Sequence, residues 1–457
     1  MSSQFPFGFT PGGGGEDDGG GDKMPGPFGF GGGAPFFAEL EKLLSWQGGP
    51  VNWELARQVA ARTVGSDDPA ITPADEENVA GALRIADIWL DPVTQLPAGG
   101  ATARAWSRLR WIDATLPVWQ TLCDPVATKV VEAMRAGLTG GLAQLSGGEG
   151  LPPELADALP PGLDLGQLMS AGGPVVEMMN RVGGMLFGAQ VGQAIGTLAS
   201  EVVSSTEIGL PLAPAGTAAL LPANIAAFGE GLGVDAEEVR IYLALREATA
   251  TRLFAHVPWL RAHLLGTVEE YARGIAVDQE ALGHVMRMVD PSTIMDPEKL
   301  SEALGEDVFA DATTPEQEAA LGRLEVALAL VEGWVDHVAD IAASEHLPGA
   351  ARLREMVRRR RAEGGPAEQT FATLVGLSLR PRRLREAAAL WEALRAARGA
   401  EGRDAVWGHP DLLPSADDLA NPDGFVSGAT ASSLDPIAEI EKLRDTPPEE
   451  PEPGAKA

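Results

Sequence analysis

The segment Leu245-Arg246-Glu247-Ala248-Thr249-Ala250 sets a glutamate directly after the first of two positions that lie four residues apart. On a helix such positions share a face, so two imidazoles placed there can grip one zinc ion while the glutamate polarises its water. Arg246 and Ala250 hold those two places here. A guanidinium stays protonated and offers no lone pair, and a methyl group offers no donor at all. Glu247 therefore reads as a vestigial general base, against the plainer reading of a solvated or ion-paired helix acid.

Other donors do not fill the gap. The six histidines stand at 256, 263, 284, 337, 346 and 409, and no two are three, four or five residues apart, so no single helical turn supplies a pair. His256 lies nearly opposite Glu247 on the same helix and reads as a capping or core residue. His337, next to Asp336, reads as a packing residue. Cys123 is the only cysteine, which excludes paired-thiolate zinc sites and intrachain disulfides. The chain has no Gly-x-x-x-x-Gly-Lys phosphate loop and no Gly-x-Ser-x-Gly elbow, and Gly29-x-Gly31 sits in low-complexity sequence with no strand before it.

These residues need a scaffold, and composition says which kind. With 45% hydrophobic and 22% charged residues in 457, the chain reads as an ordinary soluble globular protein, and its lone cysteine suits a reducing cytoplasm. The first residues lack a basic region followed by an apolar stretch, so no secretory leader is expected. A net charge of -30 argues against nucleic acid as a partner, since phosphate binding needs a positive surface. One basic cluster stands out, ten arginines against three glutamates between Arg352 and Arg385. Its reading is helix faces that are solvated or paired with acidic neighbours, with an anion contact as the alternative.

Three parts are expected: a Gly/Pro/Phe-rich arm at 1–34, a helical domain at 35–425 and an acidic, Pro-rich tail at 426–457. Apolar residues recur at three- and four-residue steps in Phe37 to Trp46, Val51 to Thr63, Glu77 to Leu90, Val118 to Met134, Ala236 to Val257, Pro258 to Ile275, Gln317 to Ile341, Ala350 to Arg361 and Arg382 to Ala397. A further short helix is expected at Asp435 to Leu443. Glu207 to Leu212 reads as a short strand or an extended loop, and nothing suggests a substantial sheet. Val182 to Ser200 is uncharged, with glycines at 184, 188, 192 and 196 along one stripe. Gln190, Gln193 and the glycines make it too weakly apolar to span a membrane, so it reads as a buried helix that a neighbour approaches closely. The tryptophans at 89, 106, 111 and 119 read as core packing, with an aromatic peptide groove as the alternative.

The run Leu221-Pro222-Ala223-Asn224, the run Gly231-Leu232-Gly233-Val234 leading into Asp235, and His256-Val257-Pro258-Trp259-Leu260-Arg261 resemble a bacterial family of zincin-like hydrolases, a domain family of unknown function. Val331-Glu332-Gly333, Leu379-Arg380-Pro381-Arg382-Arg383 and Trp407-x-His409-Pro410-Asp411 extend the resemblance over most of Gly184 to Phe425. It implies one large, mainly α, zincin-like helical domain with little or no sheet. It also implies that Arg246, Ala250 and Glu332 stand at ancestral zinc-ligand positions, with Asp336 as the acid behind them. Zinc is the family's cofactor and is not expected to bind here. Arg246 is expected to replace its charge, pairing with Glu332, Asp336 or Glu247. Bottom-up, Asp235 should cap the helix with Glu238 as its return partner, and Pro258 should stop it.

The function expected is that of a degenerate metallohydrolase whose cleft binds peptide or protein, without nucleic acid or membrane. Two alternatives stay open. One is a noncatalytic scaffold acting through its arms, and the other is a metal-dependent hydrolase with non-standard ligands.

Overall fold

A computed structural model describes residues 49–147, 174–273, 314–362 and 382–428. The arm at 1–34, the helix read at Phe37 to Trp46 and the one read at Asp435 to Leu443 lie outside the described residues. Within them the chain is mainly α, as the periodicity implied. The helices are α1 (Trp53–Val64), α2 (Pro73–Leu90), α3 (Arg108–Gly147), α4 (Pro174–Glu201), α5 (Pro222–Gly229), α6 (Ala236–His256), α7 (Pro258–Arg273), α8 (Pro315–His346), α9 (Ala350–Ala362), α10 (Arg382–Asp404) and two short turns, α11 (Ala416–Ala420) and α12 (Pro422–Ser427).

Local chemistry sets the ends. Thr72 and Asp75 form a reciprocal capping box at α2, and Thr314 and Gln317 form another at α8. At α6 the Asp235 side chain accepts from the Glu237 amide at 2.8 Å. Glu238 is not its return partner, because its carboxylate instead accepts from the Gly349 amide at 2.8 Å, tying the turn before α9 to α6. Pro258 starts α7 directly after α6.

The sheet has two strands and lies where the residues show no period-two alternation. Strands β1 (Thr102–Ala105) and β2 (Thr217–Leu220) pair in parallel, Thr102 opposite Thr217 and Ala105 opposite Leu220. Glu207 to Leu212 is irregular chain that turns at Gly209, whose φ of 76° lies in the left-handed region.

α4 packs along α1, and its glycine stripe is the contact. A Cβ at Gly188, Gly192 or Gly196 would lie 2.6 Å from the Asn52 carbonyl oxygen, 2.3 Å from the Ala56 carbonyl oxygen or 2.6 Å from the Thr63 Cβ. No helix among the described residues is long and apolar enough to cross a membrane. Trp106, Trp111 and Trp119 are core residues, while Trp89 is half-buried and stacks on His346 at 4.2 Å.

The centre of the molecule is α6, which is buried on every face from Ile241 to Ala250 and contacts α2, α8, α9 and β2. A helix surrounded in this way is normally apolar throughout. This one carries Arg246, Glu247, Thr249 and Arg252 into the interior, so each needs a partner.

Candidate functional site

α6 and α8 pass side by side so that Arg246 faces Glu332 and Asp336. Arg246 Nη1 donates to Asp336 Oδ1 at 3.0 Å and Nη2 to Glu332 Oε2 at 3.3 Å, with all three side chains nearly excluded from solvent. Burial works against the charged guanidinium, but Asp336, Tyr242 and Glu332 outweigh it and hold Arg246 firmly protonated. The two carboxylates respond in opposite directions. Burial dominates at Glu332 and keeps it above the usual carboxylate range despite Arg361 and Arg246. At Asp336 burial is outweighed by Arg246 and Arg358, which hold it below that range.

The second arginine of each carboxylate comes from α9. Arg358 donates to Asp336 Oδ2 through Nη2 at 2.7 Å and Nε at 3.2 Å, and Arg361 pairs with Glu332. Arg354 of the same helix pairs with Asp340, one turn beyond Asp336. The basic run around Arg352 to Arg361 is thus largely an acid-paired face, and it is aimed at the site. Its aim was not legible in the sequence, because only the turn at Gly349 points α9 back across α8.

Glu247 faces elsewhere. It is 0% exposed, and Ser205 Oγ, the Ala219 amide at 3.1 Å, the Thr206 amide at 3.1 Å and Thr206 Oγ1 at 2.6 Å all donate to its two oxygens. Burial pushes its pKa up against the pull of Ser205 and Thr206. The carboxylate pins the 203–206 segment and β2 onto α6. Ser205 and Thr206 carried no sequence signal that would have named them.

Arg246 and Ala250 border a cleft in which the space open to the centres of water-sized molecules is about 30 Å³. Glu332, Glu207, Arg360 and Arg361 share its wall with the apolar Phe228, Leu243, Val331 and Val357. Gly209 closes one side against Glu332. A Cβ there would come within 2.9 Å of Glu332 Oε1, so both its positive φ and its neighbour require glycine. The structure therefore brings Arg246, Ala250, Glu332 and Asp336 together and turns Glu247 away from them.

The remaining candidates lie outside this cleft. His256 is exposed at the last turn of α6, so it is not a core residue. His337 is half-buried and does not line the cleft, and burial, with Arg403 and Arg395 nearby, lowers its pKa to about 4. Cys123 is fully buried, and burial pushes its thiol far above the usual range.

The zincin-like metallopeptidase family matches this chain over residues 51–426, which takes in every element of the cleft. The chain belongs to that family. One solved structure, a "putative hydrolase with a novel fold" from Chloroflexus aurantiacus, is similar at 20% identity with a TM-score of 0.54, covering 83% of this chain and 99% of that one. At this identity the likeness speaks for the fold. No curated protein matches.

The zinc that family membership implies does not fit the donors present at this position. A four-coordinate ion needs lone pairs from nitrogen, oxygen or sulfur. Position 246 presents a cation, position 250 a methyl group, and Glu332 and Asp336 are each held by two arginines. Among the described residues no group of three or more His, Cys, Asp or Glu side chains is arranged to hold a metal ion.

Proposed function

We propose that this chain is a degenerate zincin-like hydrolase, a pseudo-metalloprotease that keeps the cleft of its family for binding peptide or protein and has exchanged the metal for a guanidinium. The observation that carries the reading is that Arg246 bridges Glu332 and Asp336, two buried acids, and we take positions 246, 250 and 332 as the ligand positions of the family. The saturated environment of Glu247 supports it, because a carboxylate holding four hydrogen bonds is a poor acceptor for the proton of an attacking water. We place the protein in the cytoplasm, since its one cysteine is buried and nothing in it calls for an oxidising compartment. Its acidity disfavours nucleic acid as the partner.

Metal analysis tests this directly. The purified full chain should hold no stoichiometric zinc, whereas Arg246→His combined with Ala250→His should acquire tightly held zinc, because the double change restores two imidazoles beside Glu332. Firmly bound transition metal in the unaltered protein would defeat the reading. For the cleft, labelled peptides should bind the full chain in fluorescence polarisation, and Ala250→Phe, which fills the cleft, should abolish that binding.

A further inference from the structure

Three guanidiniums, Arg246, Arg360 and Arg361, and two carboxylates, Glu207 and Glu332, line the cleft, and Asp336 behind the wall takes the remaining contact of Arg246. Two of the three are committed. Arg246 bridges Glu332 and Asp336, and Arg361 pairs with Glu332 and donates to the Glu207 carbonyl at 2.7 Å.

Arg360 is held differently. Its ion pair is a single contact of 3.5 Å to Glu207 Oε1, the longest among those of Arg354, Arg358, Arg360 and Arg361, and the other Glu207 oxygen accepts from the Val203 amide. Its Nη2 donates to the Glu201 carbonyl, and its plane lies over the Phe228 ring at 5.8 Å. A guanidinium reaches its full strength with a carboxylate that accepts two parallel N–H bonds, and Glu207 in this position supplies one long contact. Arg360 and Glu207 are also 23% and 20% exposed, which puts them where the cleft meets solvent.

We infer that the cleft receives the C-terminal carboxylate of a peptide, with Arg360 as its anchoring cation. The inference deepens the peptide-cleft reading and rests on it. A peptide end brings a carboxylate with two oxygens to the place where Arg360 and Glu207 meet solvent, and Arg360 has only one long ion-pair contact to give up there. The apolar wall at Phe228, Leu243 and Val357 suits the hydrocarbon behind that carboxylate.

The test is isothermal titration of the full chain with three probes: acetyl-trialanine, the same peptide as its C-terminal amide, and inorganic phosphate. The free acid should bind at least tenfold more tightly than the amide. Arg360→Gln should remove that preference, bringing the acid and the amide to equal affinity, and Arg360→Lys should keep part of it. Phe228→Leu, which takes away the ring under the guanidinium, should weaken the acid about threefold. Equal affinity for acid and amide would overturn carboxylate recognition and leave a peptide cleft standing. Binding of phosphate alone, or of none of the probes, would overturn both, and a preference that survives Arg360→Gln would overturn the role of Arg360.

Discussion

Two buried arginines on one helix, Arg246 and Arg252, show two ways of placing a cation inside this protein. Arg252 is 1% exposed and saturated: it donates to the Asp87 carbonyl at 2.8 Å, the Leu96 carbonyl at 3.1 Å, Asp87 Oδ1 at 3.0 Å and Asp91 Oδ1 at 2.8 Å. Its acids are 43% and 64% exposed and stay hydrated. Arg252 is a staple between α6 and α2. Arg246 contacts carboxylates that are themselves buried, and each of these is shared with an arginine of α9. Burial alone therefore does not mark a functional charge. What separates the two is whether water can replace the guanidinium at its partners: it can at the exposed Asp87 and Asp91 and cannot at the buried Glu332 and Asp336.

Removing each guanidinium sharpens this contrast most. Arg246→Met should cost about 3 kcal/mol, because it strands two buried acids that keep only their α9 partners. Arg252→Met should cost less, about 2 kcal/mol, since water can rehydrate Asp87 and Asp91 and the Leu96 carbonyl bears the main loss. Urea unfolding of both variants measures the gap. Equal costs would mean that the Arg246 cluster is another staple.

Acidity gives the next effect. The folded pKa of Glu332 lies above its ordinary value of 4.5, so this group's contribution to stability is fully present below that pH and is lost as pH rises through the folded pKa. Glu332→Gln should therefore flatten the decline of stability just above pH 4.5 in a series of unfolding midpoints. Asp336 runs the other way, its contribution being present above its ordinary 3.8 and lost as pH falls through a lower folded value. An unchanged profile in Glu332→Gln would place the titration elsewhere.

The smallest effect is expected at the rim. Arg358 is 47% exposed, so Arg358→Gln should cost about 0.5 kcal/mol, and that cost should shrink as salt is raised. A large, salt-insensitive loss would show that α9 is held by Arg358 rather than by Leu353 and Val357, its buried apolar contacts.

Residue type and helical period alone determined much here. They place Arg246 and Ala250 on one face of one helix, set Glu332 and Asp336 on one face of another, and remove the imidazole donors, because these are facts about neighbours three or four positions apart. The glycine stripe of α4 was legible for the same reason. The two four-residue strands were not, since pairing between Thr102 and Thr217 leaves no local pattern. Nor could the chain announce that Arg246 would meet an acid 90 positions away, that α9 would fold its arginines onto the same acids, or that Ser205 and Thr206 would capture Glu247. Those outcomes belong to packing between distant segments. Burial then decides the chemistry, because a charge withdrawn from water must take whichever partner the tertiary fold sets beside it.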